Sequence, residues 1–200
     1  MVRAKRGDVI IVAFSMLFVF SLLMIVSESQ ERMTGYAVSG TTVSNVTISK
    51  YLSISLSTNL SMGIYFGNVS TLPATNLNAT HNFDTQGINQ TSFWVNVSTD
   101  SNTNVDICTK ADTNFRSSGG DTINLGNETY INATINNMSM PGPISSDIHY
   151  TSSYVYAGQN VSVGGADYFR FYMDIPAATP SGTYNNTVTF QGVQTGVACS

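Results

Sequence analysis

Beyond residue 42 the chain alternates apolar and polar side chains with a period of two, as strands do when one face is buried and the other is wet. The clearest run is DYFRFYMDI, where Phe169, Phe171, Met173 and Ile175 alternate with Tyr168, Arg170, Tyr172 and Asp174. The pattern predicts the first set inside and the second in water. In VTISKYLSISL, Val46, Ile48, Leu52, Ile54 and Leu56 share one face, interrupted only by Lys50, whose aliphatic stem tolerates an apolar surface. SFWVNV, ETYINATI, SYVYAGQNVSV and GTYNNTVTFQGV repeat the alternation, with SSGGD, PGP, AGQN, VGGAD and ATPSG as turns between them. Short strands with a turn roughly every ten residues, and no convincing amphipathic helix, predict a single all-β domain over 42–200, an antiparallel β-sandwich.

The N-terminus follows another pattern. Val9 to Val26 is apolar apart from Ser15 and Ser21, and as a helix it spans about 27 Å, close to the hydrocarbon thickness of a bilayer. Arg3, Lys5 and Arg6 precede it, which orients the start toward the cytoplasm by the positive-inside rule. The expected organisation is a basic region and apolar signal-anchor helix over 1–27, a polar linker over 28–41 and an exported domain over 42–200. The run is longer than the usual core of a cleaved signal peptide, so a retained membrane helix is the better reading.

Composition agrees with export. Charged residues make up only 10% of the chain, against about 25% in soluble globular domains; Ser, Thr, Asn and Gly supply the polarity. After residue 40 four cations, Lys50, Lys110, Arg116 and Arg170, face nine acids, a balance of −5. That balance excludes a nucleic-acid footprint, which needs a basic surface. Asn-x-Ser/Thr occurs eleven times, at Asn45, Asn59, Asn68, Asn78, Asn89, Asn96, Asn127, Asn132, Asn137, Asn160 and Asn185. With 19 Asn and about a quarter Ser plus Thr in the body, chance alone gives about five such acceptors of N-glycosylation. Asn96, Asn132, Asn160 and Asn185 are expected on wet strand faces, where a glycan leaves the core intact. Cys108 and Cys199 both lie in the exported part, a setting that favours a disulfide over two unrelated thiols. The bond would fasten a terminus that otherwise frays.

Motifs for chemistry are sparse. STDSNTNVDI places Asp100, Asn102, Asn104 and Asp106 at alternate positions, as in a calcium loop. An EF-hand also needs Gly at the sixth place and Glu at the twelfth; Val105 and Ala111 stand there. A polar turn is therefore the better reading, and a weak calcium site is the one metal candidate. His81 and His149 are not in metal spacing, and no nucleophile motif, phosphate loop or readable acid pair is present. No cofactor is expected. Trp94, Tyr168 and Tyr172, on wet faces, form a potential recognition surface, although cross-strand pairing alone accounts for them.

MTGYAV, ISLSTNLSMGIYFGNVSTLPATNLNAT and YFRFYMDIPAATPSGTYNNTVTFQGVQTGVAC together resemble a group of small exported archaeal cell-surface proteins. IPAATPSGTYNNTVTF is also similar to the closing strand pair of immunoglobulin-like modules. These resemblances imply a surface location and an immunoglobulin-like β-sandwich, with no catalytic residues to transfer. Arg6-Gly7 ahead of an apolar run resembles the leader of archaeal type IV pilins, which implies cleavage between Gly7 and Asp8 and a filament-core helix over 8–33. Asp8 departs from that pattern, where an apolar or small residue is usual, and serves equally as a helix N-cap. The sequence thus predicts a non-catalytic, glycosylated surface protein with a structural or adhesive role, its N-terminal helix in the membrane. Self-association, other surface proteins and glycans are its expected partners. The alternatives are a pilin-like filament subunit and, from another class, an extracellular carbohydrate-active enzyme for which no motif speaks.

Overall fold

The computed structural model describes residues 15–21, 45–84, 90–136 and 147–200. The chain divides into two compact units, Met1–Thr47 and Ile48–Ser200. In the first, residues 15–21 are helical and their apolar side chains, Met16 to Phe20, are exposed. The rest of the expected Val9–Val26 helix, the leader positions Gly7 and Asp8 and the linker 28–41 lie outside the described residues. Among the described residues no helix is long and apolar enough to cross a membrane.

The second unit is built from antiparallel strands: β1 (Ile54–Leu56), β2 (Ala74–Asn78), β3 (Trp94–Val97), β4 (Val105–Ala111), β5 (Phe115–Ser117), β6 (Thr122–Ile123), β7 (Glu128–Ala133), β8 (Ile148–His149), β9 (Val155–Val161), β10 (Ala166–Ile175), β11 (Tyr184–Asn185) and β12 (Val188–Gln194). The largest sheet runs β1-β3-β10-β7-β8, with β2 also paired to β10; a second runs β12-β4-β9 and a third β11-β5-β6. One core draws on the first two sheets. Phe93, Val95, Val97, Tyr130, Phe169 and Phe171 meet Val105, Ile107, Ala111, Ala157 and Val161, with Val188 and Phe190 packed at the margin. A smaller cluster joins Met173 to Phe115 and Ile123 of the third sheet. A five-residue helix, Thr58–Met62, links β1 to the loop before β2. Ser57 caps it by accepting the Leu60 N–H, and Gly63, at φ 121°, ends it in a conformation that a side chain would strain.

β10 is the centre of the large sheet, and one edge of it is completed by side chains. β3 pairs with Ala166–Tyr168 and β2 with Tyr172–Ile175. In the gap the buried Asn82 amide acts as a strand: Nδ2 donates to Phe171 O at 2.7 Å and Oδ1 accepts Phe171 N–H at 2.9 Å. Thr91 Oγ1 covers Phe169 O at 2.7 Å. Buried backbone groups need such partners, because an unpaired one costs as much as a lost hydrogen bond.

Three expectations about strand faces are corrected. The strand expected over Val46–Leu56 forms only at β1, and Val46 and Ile48 are 83% and 77% exposed. Just upstream of β1 the backbone is held by a turn instead: the Asn102 side chain accepts Tyr51 N–H and donates to Ser49 O. Arg170 and Tyr172, expected in water, are 2% and 1% exposed. Phe83, from a loop far away in sequence, lies over the Arg170 guanidinium at 4.3 Å, a cation–π arrangement that burial strengthens. Asn132 does not sit on a wet face. Its register partner is Phe169, while Tyr130 and Glu128 oppose Phe171 and Met173, so the polar side of β7 faces the core.

Cys108 and Cys199 form the expected disulfide. Val105, Ile107 and Ala111 point into the core, so Asp106, Cys108 and Lys110 point to the opposite face of β4. The tail folds back over that face. Gly196 N–H donates to Asp106 Oδ2 at 2.9 Å, Tyr156 hydroxyl to Val197 O at 3.0 Å, and Cys199 closes onto Cys108.

Candidate recognition groove

Alternation along β3 and β10 puts Trp94 and Tyr168 on the face away from the core, and antiparallel register makes them direct partners. The chain leaving β7 passes beside them through Thr134, Ile135 and Asn136, and Gln90 closes the other side. These six residues line an open groove of about 520 Å³. Its walls are fixed. Asn136 pairs with the Thr91 backbone as a strand would, Oδ1 accepting the N–H at 2.9 Å and Nδ2 donating to the carbonyl at 2.8 Å. Gln90 Nε2 donates to Asn136 O at 3.0 Å. The Trp94 ring is 36% and the Ile135 side chain 61% exposed. Among the described residues no Asp, Glu, Lys, Arg or His lines the groove, so it offers aromatic faces, an aliphatic wall, amides and hydroxyls. Such a lining suits an uncharged ligand with both C–H faces and hydroxyl groups. Of the three aromatics expected on a recognition surface, Trp94 and Tyr168 take part and Tyr172 is buried elsewhere. The amide walls have no signature in sequence, because Asn136 reaches its partner across 45 positions.

The ionisable groups lie inside the domain instead. Glu128 is 1% exposed, and burial pushes its carboxyl up to about 8 against the weak pull of the Asn186 amide at 3.4 Å. Asp167 is fully buried, and burial pushes it up to about 7 although Asn132 Nδ2 donates to Oδ2 at 2.8 Å. Between them lie the Tyr130 and Tyr150 rings, 5.0 Å apart. Burial raises both phenols, and the neighbouring carboxyls, Asp167 for Tyr130 and Glu128 for Tyr150, raise them further. These acids face the core rather than the groove, so their protons bear on folding and not on a bound ligand.

The calcium candidates are spread over separate tasks. Asp100 is exposed in a turn, Asn102 holds the backbone at Ser49 and Tyr51, and Asn104 Nδ2 donates to Asn160 Oδ1. Asp106 is buried and accepts the Asn160 and Gly196 N–H groups. Among the described residues no three His, Cys, Asp or Glu side chains gather as metal ligands. His81 pairs with Asp84 at 2.9 Å, and His149 Nδ1 lies 2.6 Å from Gly126 O. Of the glycan acceptors, Asn45, Asn68, Asn78, Asn160 and Asn185 are exposed, and Asn59, Asn96, Asn127 and Asn132 are half-buried. Asn89 and Asn137 lie outside the described residues. Asn59 Nδ2 donates to Asp84, and Asn132 Nδ2, the atom a glycan would occupy, already donates to buried Asp167. The chain matches no protein-family model, no curated protein and no solved structure.

Proposed function

We propose that this chain is a non-catalytic, glycosylated surface protein, exported through and anchored by its N-terminal helix, and that its β-domain binds neutral glycan in the Trp94–Tyr168 groove. The observation that carries the reading is an uncharged groove with paired aromatic rings and fixed amides on an otherwise acidic body. A pyranose presents C–H faces to aromatic rings and hydroxyls to amides, and a groove without charge has no preference for anions or cations. The two sheets that share one core support the finer reading of the domain as an immunoglobulin-like β-sandwich. Localisation on the extracellular face follows from the apolar run, the cations ahead of it and the excess of glycan acceptors.

The test is a neutral-oligosaccharide array probed with the full chain in detergent, followed by titration of the best ligand. Trp94→Ala and Tyr168→Ala are expected to weaken binding at least about tenfold while the disulfide and β-spectrum persist, as loss of a buried aromatic anchor does. Equal binding by Trp94→Ala would overturn the assignment of the groove, and turnover of a bound glycan would favour the enzyme. The pilin alternative rests on Arg6-Gly7 ahead of the apolar run. It requires a mature N-terminus at Asp8, which sequencing of native protein reads directly.

A further inference from the structure

We infer that copies of this chain join head to tail by strand donation, the segment Val46–Lys50 of one copy pairing with the open edge of β12 in the next. The donor is a run whose alternation is that of a strand but which joins no sheet among the described residues, Ser49 O being held by the Asn102 side chain. Residues 45–50 have no regular structure, and the apolar side chains of Val46 and Ile48 stand in solvent. Alternating exposed apolar residues on an unpaired backbone are what an open sheet edge takes up.

The acceptor is equally specific. Among the described residues β12 pairs with β4 alone, across seven residues. On its other side no backbone hydrogen bond joins it to the described residues, apart from Val197 N–H to Gln194 O at its end. The other outer strands are poor edges: β1 has three residues, β8 has two, and β9 is broken by register shifts and by Asn160 at φ 53°. β12, VTFQGVQ, carries no charge and no proline to block addition. Val188 and Phe190 pack on the core yet remain half-buried, as they would at a margin one strand short.

Alternation sets the register, with the apolar side chains of the donor on the core-facing side of β12. Laid antiparallel with Ile48 beside Phe190, the donor brings Val46 beside Gly192 and Lys50 beside Val188. Because donor and acceptor are different surfaces, the contact is heterologous, and each copy has one surface left to bind a further copy.

The full chain in detergent, followed by sedimentation across a range of concentration, tests the idea together with hydrogen exchange of the β12 amides. Association that grows with concentration is expected, and it is lost in the double variant Val46→Asp, Ile48→Asp, whose sites are solvent-exposed and outside the core. Amides on the free edge of β12 are expected to exchange at least about tenfold slower in the parent than in the double variant. A monomeric parent, association unchanged in the double variant, or β12 exchange that is the same in both overturns the inference. None of these outcomes touches the groove, which Trp94→Ala reports separately.

Discussion

Raising the pH from 5 to 8 is expected to destabilise the domain through Glu128 and Asp167. Each carboxyl has its pKa raised on folding, Glu128 from 4.5 to about 8 and Asp167 from 3.8 to about 7, with burial the main cause. Between the unfolded and folded values the native chain holds protons that the unfolded chain has released, so stability falls as pH rises. The loss begins above pH 4 and is complete once the folded carboxyls ionise, above about 8. One pKa unit is worth about 1.4 kcal/mol, so the full cost of ionisation is about 5 kcal/mol at Glu128 and about 4 kcal/mol at Asp167. Integrated from pH 5 to 8, each contributes about 3 kcal/mol. The sum is comparable with the whole stability of an ordinary domain. Urea unfolding at pH 5, 6, 7 and 8, followed by far-ultraviolet dichroism, measures it. The parent midpoint should fall steadily across the series. Glu128→Gln and Asp167→Asn keep the acceptors for Asn186 and Asn132, and each should remove about half of the slope. A parent midpoint that does not move between pH 5 and 8, or a Glu128→Gln variant with the full parental slope, would refute the reasoning.

Reduction of Cys108–Cys199 opens a loop of sequence separation 91 and is expected to lower stability by about 4–5 kcal/mol in the chain-entropy account, read as a drop in urea midpoint with and without reductant. Asn82→Ala leaves the buried N–H of Phe171 without its partner, while Phe171 O keeps the Ala79 N–H at 3.1 Å; a loss of about 1–3 kcal/mol is expected by the same unfolding assay, and a change well below about 1 kcal/mol would mean that water replaces the amide. Glycopeptide mass spectrometry of native protein should find sugar on exposed Asn160 and Asn185 and none on Asn132, whose amide is committed to Asp167.

Period-two alternation located most of the strands and the inward positions Phe169, Phe171 and Met173, because one-sided burial leaves a local trace. It failed where burial depends on distant chain. Nothing near Arg170 in sequence announces that Phe83 will cover it, and nothing in ETYINATI says that its polar side turns inward to meet Asp167 and Asn186. Val46 and Ile48 fit the pattern perfectly and have no partner strand among the described residues, since alternation reports what a segment is able to pair with and not whether a partner is present. The groove was half legible. Trp94 and Tyr168 follow from alternation, whereas the amides that fix its walls bond across long separations that no local pattern encodes.

The tail clamp also sets how the domain answers to force. Tension applied between Ile48 and Ser200 enters the fold through Cys199 and passes at once into the middle of β4, so everything between Cys108 and Cys199 is bypassed. Only about 60 residues can be drawn out, a release of about 200 Å at full extension, against about 500 Å once the bond is reduced. β7, β9, β10 and β12, which carry most of both large sheets, stay off the loaded path. A protein displayed in shear flow would lose its β1–β3 segment long before those strands feel any pull. The disulfide therefore works as an extension limiter as well as a staple.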